Sequence, residues 1–161
     1  CYGWGVWDTV YASDKEAMDW KANIQKELKE VGIEELGMIS HQEVAKLYKR
    51  ATILAYPSEF AEIDCISVSK ALASGCIPVT TNFAAMGEKS TYGGVYIESK
   101  KTKDTWCRDG QISFSMESNM DKWIKETVKI LKGDKPKLKR DKVLKDFNWD
   151  NITERWNKTI C

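Results

Sequence analysis

The sequence has little of what marks non-globular proteins. It contains 3 prolines among 161 residues, and its composition is 42% hydrophobic and 30% charged. Collagen-like chains need far more proline and glycine, and disordered chains have fewer apolar residues. Both classes are therefore excluded, and the length predicts one folded domain covering residues 1–161.

An excess of charge of one sign and long apolar runs are also lacking. Lysine and arginine number 25 against 24 aspartates and glutamates, which gives a formal net charge of +1. A nucleic-acid partner needs a basic surface, so none is expected. No apolar run approaches the roughly 20 residues of a membrane span, and no signal segment opens the sequence. We therefore expect a soluble protein.

Cysteines are few, widely spaced and odd in number. There are 5, and none forms a Cys-x-x-Cys pair. This pattern argues against a disulfide framework and against a zinc site. We therefore expect a reducing, cytoplasmic location.

The first third of the sequence predicts helices and strands in alternation. Apolar residues recur at spacings of three and four over residues 14–31, which predicts an amphipathic helix. A short strand is predicted at 36–39, and Ser40 with Glu43 forms a capping box that begins a second helix. The uninterrupted apolar run at 52–56 predicts a strand buried on both faces, and so placed centrally in a parallel sheet.

The rest of the chain continues this alternation. Its predicted elements are a helix at 64–74, strands at 77–81 and 92–97, and helices at 120–131 and 149–156. The second of these strands is expected to be the last, and residues 133–161 are expected to form a lysine-rich linker and a helical tail. Such alternation predicts an α/β fold with a mostly parallel sheet, in which ligands bind at the carboxyl ends of the strands.

Residues 57–80 carry the most specific pattern, because they run from a strand end through an acidic loop into a helix. A helix start offers unpaired N–H groups, so those near Cys65, Ile66 and Ser67 suit a phosphate. An acidic residue just before the helix suits sugar hydroxyls instead. Asp64 is itself a good N-cap, so a capped structural helix is the competing interpretation.

This segment resembles the donor-binding region of GT-B fold glycosyltransferases of the large retaining family 4. The family pattern is a strand, Pro-Ser or similar, Glu, seven residues, Glu-Ala, then Gly and Pro-Val. The residues that match it are Glu62, Ala71, Gly75, Pro78 and Val79. The flanking matches, in order, are Tyr2-Gly3-Trp4, Trp7-Asp8, Ser40-His41, Asn82-Phe-Ala-Ala with Glu88, and Phe147-Asn-Trp149 with Trp156.

The resemblance implies a Rossmann-like three-layer α/β/α domain that corresponds to the carboxyl-terminal half of a GT-B fold and is incomplete at its amino terminus. Such a domain binds a nucleotide-diphosphate sugar and faces an amino-terminal domain that holds the acceptor, a glycan, lipid or protein. Members of the family usually transfer the sugar with retention and need no metal or other cofactor. By this resemblance, we expect the chain alone to be inactive.

The resemblance also assigns roles to residues. Glu62 would be the catalytic carboxylate against the donor sugar. The residues implied to contact the sugar and diphosphate are Ile63, Asp64, Cys65, Ile66 and Ser67. The base would rest near Met38, Ile39 and Ser40, with Glu43 behind it. Independently of the resemblance, the rule for strand ends predicts that the loop from Gly3 and Trp4 to Asp8 borders the cleft.

Two departures from the family pattern leave an alternative open. Lys70 stands where the family has its second glutamate, the acceptor for the ribose hydroxyls, and an ammonium can only donate hydrogen bonds. The basic pair that clamps the diphosphate is expected upstream of Cys1. The alternative is therefore a non-catalytic, degenerate transferase domain that serves as a binding or assembly module.

Three features have two interpretations each. Trp4 and Trp7 could line the cleft or simply pack. The lysines around residues 135–142 could contact an anionic membrane surface peripherally, although interspersed aspartates favour a solvated linker. Cys65 is expected to be a small buried residue rather than a nucleophile.

Overall fold

A computed structural model of the chain describes residues 4–58, 60–98, 100–102, 113–115 and 119–160. The chain divides into two compact units, Cys1–Val44 and Ala45–Cys161. The helices are α1 (Gly5–Val10), α2 (Lys15–Glu30), α3 (His41–Arg50), α4 (Ile66–Ser74), α5 (Ala85–Lys89), α6 (Met120–Leu131), α7 (Arg140–Asp146) and α8 (Trp149–Ile160). The strands are β1 (Ile53–Tyr56), β2 (Ile77–Thr81), β3 (Val95–Ile97), β4 (Lys100–Thr102) and β5 (Ser113–Ser115).

Local signals correctly predict helix α2 of the first unit and helix α3, which begins in the first unit and continues into the second. Helix α2 confirms the prediction for 14–31, and Asp14 caps it by accepting a hydrogen bond of 3.0 Å from the Ala17 backbone N–H. The capping box at α3 is also confirmed. The Ser40 N–H donates to Glu43 Oε2 at 2.8 Å, and the Glu43 N–H donates to Ser40 Oγ at 3.2 Å.

Two expectations for the first unit are wrong. Residues 33–40, all within the described part, form no strand, since no neighbouring strand there supplies ladder hydrogen bonds and the Met38 side chain is 91% exposed. The expected loop from Gly3 to Asp8 becomes helix α1 from Gly5 onward. The Trp4 ring contacts those of Trp7 and Trp20 at centroid distances of 6.1 and 6.2 Å, so aromatic packing replaces the loop.

The second unit is built on a parallel three-stranded sheet in the order β1-β2-β3. All five residues of β2 are buried, whereas β1 exposes Ala55 and pairs on one side only in the sheet that the structure describes. The expectation that β1 is central is therefore wrong. Strand β2 takes the central place because it pairs with a strand on each side.

A proline in the middle of this sheet has a physical explanation. The Ile77 N–H donates to the Thr52 carbonyl at 2.9 Å on the β1 side, so the nitrogen of the next residue, Pro78, faces the β3 side. There the paired register begins only at Val95, opposite Val79. Gly94 precedes that pairing, so the missing N–H of Pro78 costs no ladder hydrogen bond.

Helices pack on the sheet through alternate residues of β2. Ile77 and Val79 share a buried cluster with Ile130 of α6, and the Trp123 Nε1–H donates to the Val79 carbonyl at 3.1 Å. A second buried cluster gathers residues of α4 with its N-cap, of α5 and of α7: Cys65, Val68, Leu72, Met86 and Val143. The unit is thus an α/β structure around a small parallel sheet.

Other elements of the second unit differ from the predictions in detail. The expectation that β3 is the last strand is wrong, because β4 and β5 form an antiparallel pair. Three-residue strands are too short to show an alternating pattern. Helix α6 confirms the prediction for 120–131, α7 was not predicted, and α8 extends beyond the predicted end at 156.

Among the described residues, no helix combines the length and the apolar character needed to cross a bilayer.

Gly94, just before β3, packs closely against Pro78, so we expect Gly94→Ala to destabilise the fold. A Cβ at Gly94 would lie 2.6 Å from Pro78 Cγ, and its φ of +111° disfavours side chains. Gly133→Ala is the matched control, with a φ of +108° and nothing within 4 Å. In urea unfolding we expect Gly94→Ala to lose about 3 kcal/mol and Gly133→Ala about 1 kcal/mol. Equal losses would show that Pro78 does not press on this position.

Candidate functional site

The residues between β1 and α4 form the centre of the candidate site. We call residues 60–65 the acidic loop; it contains Glu62 and Asp64. The loop follows the carboxyl end of a parallel strand and leads directly into a helix, which is where α/β proteins place ligands. Its start is tied to the sheet, since Thr81 Oγ1 of β2 donates to the Ser58 carbonyl at 2.7 Å.

Glu62 is half-buried and held at two points. Its Oε1 accepts a hydrogen bond of 2.7 Å from the Tyr56 hydroxyl, and its carbonyl accepts one of 3.2 Å from the Ala85 N–H. Burial, and then the hydrogen bond to Glu62, raise the pKa of the Tyr56 phenol to about 12. Tyr56 therefore remains a proton donor to this carboxylate throughout the physiological range.

Asp64 does not cap α4, which corrects the sequence-based alternative. Its carboxylate accepts a hydrogen bond of 2.7 Å from Lys89 Nζ, at the end of α5. The N-cap residue is Cys65, which provides no side-chain hydrogen bond to the helix start within the part of the chain described. Asp64 therefore does not compete for the first N–H groups of α4, since an ion pair with a buried ammonium is the stronger interaction.

Backbone strain is concentrated beside Glu62. Among the described residues, Cys65 and Ala84 alone adopt positive φ without being glycine, at 53° and 50°. Cys65 ends the acidic loop, and Ala84 immediately precedes the residue that bonds to the Glu62 carbonyl. Such conformations persist where surrounding contacts enforce them, and they cluster at functional sites. The strain therefore marks this loop as a functional candidate.

The remaining predicted donor-contact residues differ in exposure. The Ile63 side chain is 97% exposed and Ile66 is exposed, so neither side chain lies in an enclosed site. Ser67 is half-buried. Cys65 is buried, and burial raises the pKa of its thiol, which agrees with the expectation of a small buried residue.

Lys70 lies in α4 eight residues after Glu62 and is half-buried. It therefore belongs to the helix that the acidic loop enters.

The residues predicted for the nucleotide base lie in the first unit. Met38 is almost fully exposed, and Ile39 is half-buried. The Glu43 carboxylate is engaged by the Ser40 hydroxyl and then by its backbone N–H, which lower its pKa. Their role in binding the nucleotide base stays a prediction.

The predicted cleft residues are only partly placed. Gly3 lies outside the described residues. The Trp4 Nε1–H donates to Glu35 Oε1 at 2.6 Å, and the Lys21 ammonium lies 5.5 Å from the Trp4 ring centroid. Trp4 therefore has partners within its own unit.

No role was predicted from the sequence for Tyr56, Lys89 or Tyr96. The register aligns Tyr56, Thr80 and Tyr96 in one row across the sheet. The Tyr96 hydroxyl is buried without a hydrogen-bond partner in the described part of the chain, and burial raises its pKa. Tyr56 could have been found as the last residue of the predicted strand, whereas Lys89 carries no local signal.

No group of three or more potential metal-ligating side chains comes together within the ranges that the structure describes.

Comparisons with protein-family models, with curated proteins and with solved structures find no match for this chain. The structure defines the class as an α/β protein with a small parallel sheet and an acidic loop at a strand end.

The raised pKa of Tyr56 predicts a pH-dependent stability. Between its ordinary value of 10.0 and about 12, the unfolded chain has lost this proton while the fold retains it. The free energy of unfolding that Tyr56 contributes is thus complete below pH 10 and lost as the pH rises toward 12. Tyr56→Phe should cost about 1 kcal/mol at pH 8 through the lost hydrogen bond.

Urea unfolding of both proteins at pH 8, 10 and 11.5 tests this expectation. The stability advantage of the wild type over Tyr56→Phe should shrink above pH 10. In a Glu62→Gln background the shrinkage should be smaller yet present, because burial is the larger cause. A constant difference across the three pH values would contradict the account.

Proposed function

We propose that the second unit binds the donor, a nucleotide-diphosphate sugar, and forms the donor half of a retaining glycosyltransferase. The observation that carries the proposal is the Glu62 carboxylate, held by Tyr56 at 2.7 Å beyond the carboxyl end of β1. This is the residue that the resemblance to family 4 assigns to the donor sugar. Its position agrees with the ligand-binding edge of a parallel sheet.

The chemistry of Glu62 suits a sugar. Tyr56 engages one carboxylate oxygen, Oε1, and a carboxylate offers about four lone-pair sites. Further sites are therefore available to sugar hydroxyls. A fixed carboxylate orients them without losing much side-chain entropy on binding.

The start of α4 suits the diphosphate. Among the described residues, its N-cap residue Cys65 forms no side-chain capping hydrogen bond, and the Asp64 carboxylate accepts its hydrogen bond from Lys89 instead. The first N–H groups of a helix and its dipole favour an anion. The proposed diphosphate contacts are the backbone groups of Cys65, Ile66 and Ser67, and no metal is invoked.

The proposal includes a Rossmann-like, three-layer arrangement of the second unit. The supporting facts are the parallel order β1-β2-β3 and the two buried clusters, one with α6 and one with α4, α5 and α7. The acceptor domain and a cytoplasmic location are further parts of the proposal that rest on the resemblance and composition.

Lys70 supports a second candidate, a non-catalytic binding or assembly module. It is half-buried in α4, at the position where the family pattern has the ribose-binding glutamate. A lysine cannot accept the two hydroxyl hydrogen bonds of a ribose diol. Turnover is the property that separates this module from a transferase.

Replacement of Glu62 tests the donor site. By calorimetry on the chain with UDP, GDP and their sugar conjugates, Glu62→Gln should weaken binding of the conjugate about tenfold, the effect of losing a charge-assisted hydrogen bond. Binding of the bare nucleotide should change less than about twofold, because the carboxylate contacts the sugar. Glu154→Gln, on α8, is the control and should change neither. Equal weakening of nucleotide and conjugate would contradict the sugar assignment.

Replacement of Lys70 tests whether α4 contacts the ribose and whether Lys70 impairs that contact. If α4 contacts the ribose, Lys70→Glu should tighten binding of the nucleoside diphosphate by roughly fivefold or more, because it restores a bidentate acceptor. Lys70→Gln removes the charge without restoring the carboxylate and should gain less. Unchanged or weaker binding in Lys70→Glu would argue against a ribose contact at this position, whereas tighter binding would support the module, because it would show that Lys70 impairs the ribose site.

A further inference from the structure

Lys89 is a buried ammonium that the proposed function does not use. The residue is 4% exposed and closes the short helix α5. A lysine is retained in such a place only when its charge is paired, because burial removes the water that would solvate it. Its partners therefore indicate its purpose.

Within the described residues, the ammonium contacts a carboxylate and an aromatic ring. Lys89 Nζ donates to Asp64 Oδ1 at 2.7 Å and lies 4.8 Å from the centroid of the Phe147 ring, a cation–π contact. Phe147 follows α7 and packs on Tyr92 at 5.6 Å between ring centroids, and the Tyr92 hydroxyl donates to Asp146 at 2.9 Å. The ammonium thus joins the acidic loop to the end of α7.

Helix α5 holds the acidic loop at two points. The N–H of Ala85, its first residue, donates to the Glu62 carbonyl, and Lys89, its last residue, pairs with Asp64. The residue after Asp64 is Cys65, whose left-handed φ of 53° is unfavourable for a non-glycine residue and must be enforced by surrounding contacts. The ion pair between Lys89 and the side chain of Asp64 is one such contact.

We propose that Lys89 is a positioning residue, which acts through Asp64 to fix the acidic loop and the strained turn at Cys65. On the proposed function, this fixed loop is the conformation that binds the donor. Lys89 itself contacts no substrate in this proposal.

Alkylation of buried thiols tests the positioning role without any ligand. Cys65 ends the loop, whereas Cys76 is buried beside β2 and reports opening of the core, so the two provide an internal comparison. The full 161-residue chain is treated with iodoacetamide under native conditions, and labelling is measured at each cysteine by peptide mass. Lys89→Met should speed alkylation of Cys65 about tenfold and that of Cys76 less than about twofold, because the opening is local.

Electrostatics cannot produce this result. The Lys89 charge lowers the pKa of the Cys65 thiol, so its loss alone would reduce the thiolate and slow alkylation. Lys129→Met is the control, since it breaks a 2.7 Å ion pair with Glu126 on α6 and should leave both rates unchanged. Lys89→Arg, which keeps the charge, should restore slow labelling of Cys65 at least in part.

Two outcomes overturn the proposal. Equal acceleration at Cys65 and Cys76 would show that Lys89 stabilises the whole core, and no acceleration would show that the pair does not hold the loop. Calorimetry with the same UDP and GDP conjugates adds the functional link, with about tenfold weaker binding expected for Lys89→Met. A wild type that binds none of them would refute the proposed function, while the alkylation result decides the positioning role independently.

Discussion

Pairing of β2 on both sides is the constraint on which the second unit depends. Because β2 is buried throughout, its register with β1 and β3 determines which residues reach the carboxyl edge of the sheet together. That register places Tyr56 opposite Thr80, and the hydroxyl of the following Thr81 bonds to the Ser58 carbonyl. The acidic loop thus starts from a point that the sheet has already fixed. Without this pairing, Tyr56 could not present its hydroxyl to Glu62 in one geometry.

The other side of the loop depends on a short helix rather than on the sheet. Helix α5 has only five residues, too few to be stable by itself, so it must be held by its contacts. Ala85 and Met86 are buried, and Thr80 Oγ1 of β2 lies 3.1 Å from Met86 Sδ. The same strand therefore holds the chain just before the acidic loop through Thr81 and supports the loop itself indirectly through α5.

Local signals in the sequence predicted most of the elements but not their neighbours. The capping box at Ser40 and the periodicity of 120–131 involve residues within one or three turns of each other, and both were confirmed. The strand expected at 36–39 failed because a strand exists only where another chain segment pairs with it. The central place expected for β1 failed for a related reason, since an apolar run shows burial but not the number of neighbours.

In the candidate site, too, local patterns were informative whereas contacts between distant residues were not predicted. Glu62 was assigned to the donor sugar by the resemblance, and it lies half-buried beyond the end of β1. Its role stays a prediction. In the competing interpretation Asp64 was the N-cap, because aspartate before a helix is the usual local signal. Its true partner is 25 residues further along the chain, and no local pattern records a contact of that separation.

The Asp64–Lys89 pair changes the electrostatics of the whole loop. Two unpaired carboxylates close to the start of α4 would repel an anionic ligand there, because like charges within a few ångströms destabilise each other. Pairing with a buried ammonium neutralises Asp64 and leaves Glu62, which is half-buried and already engaged by Tyr56. The positive end of the α4 dipole is then opposed by one carboxylate instead of two. The acidic residues of the loop therefore do not exclude an anionic ligand at the start of α4, because the charge of Asp64 is neutralised by the ion pair that holds the loop.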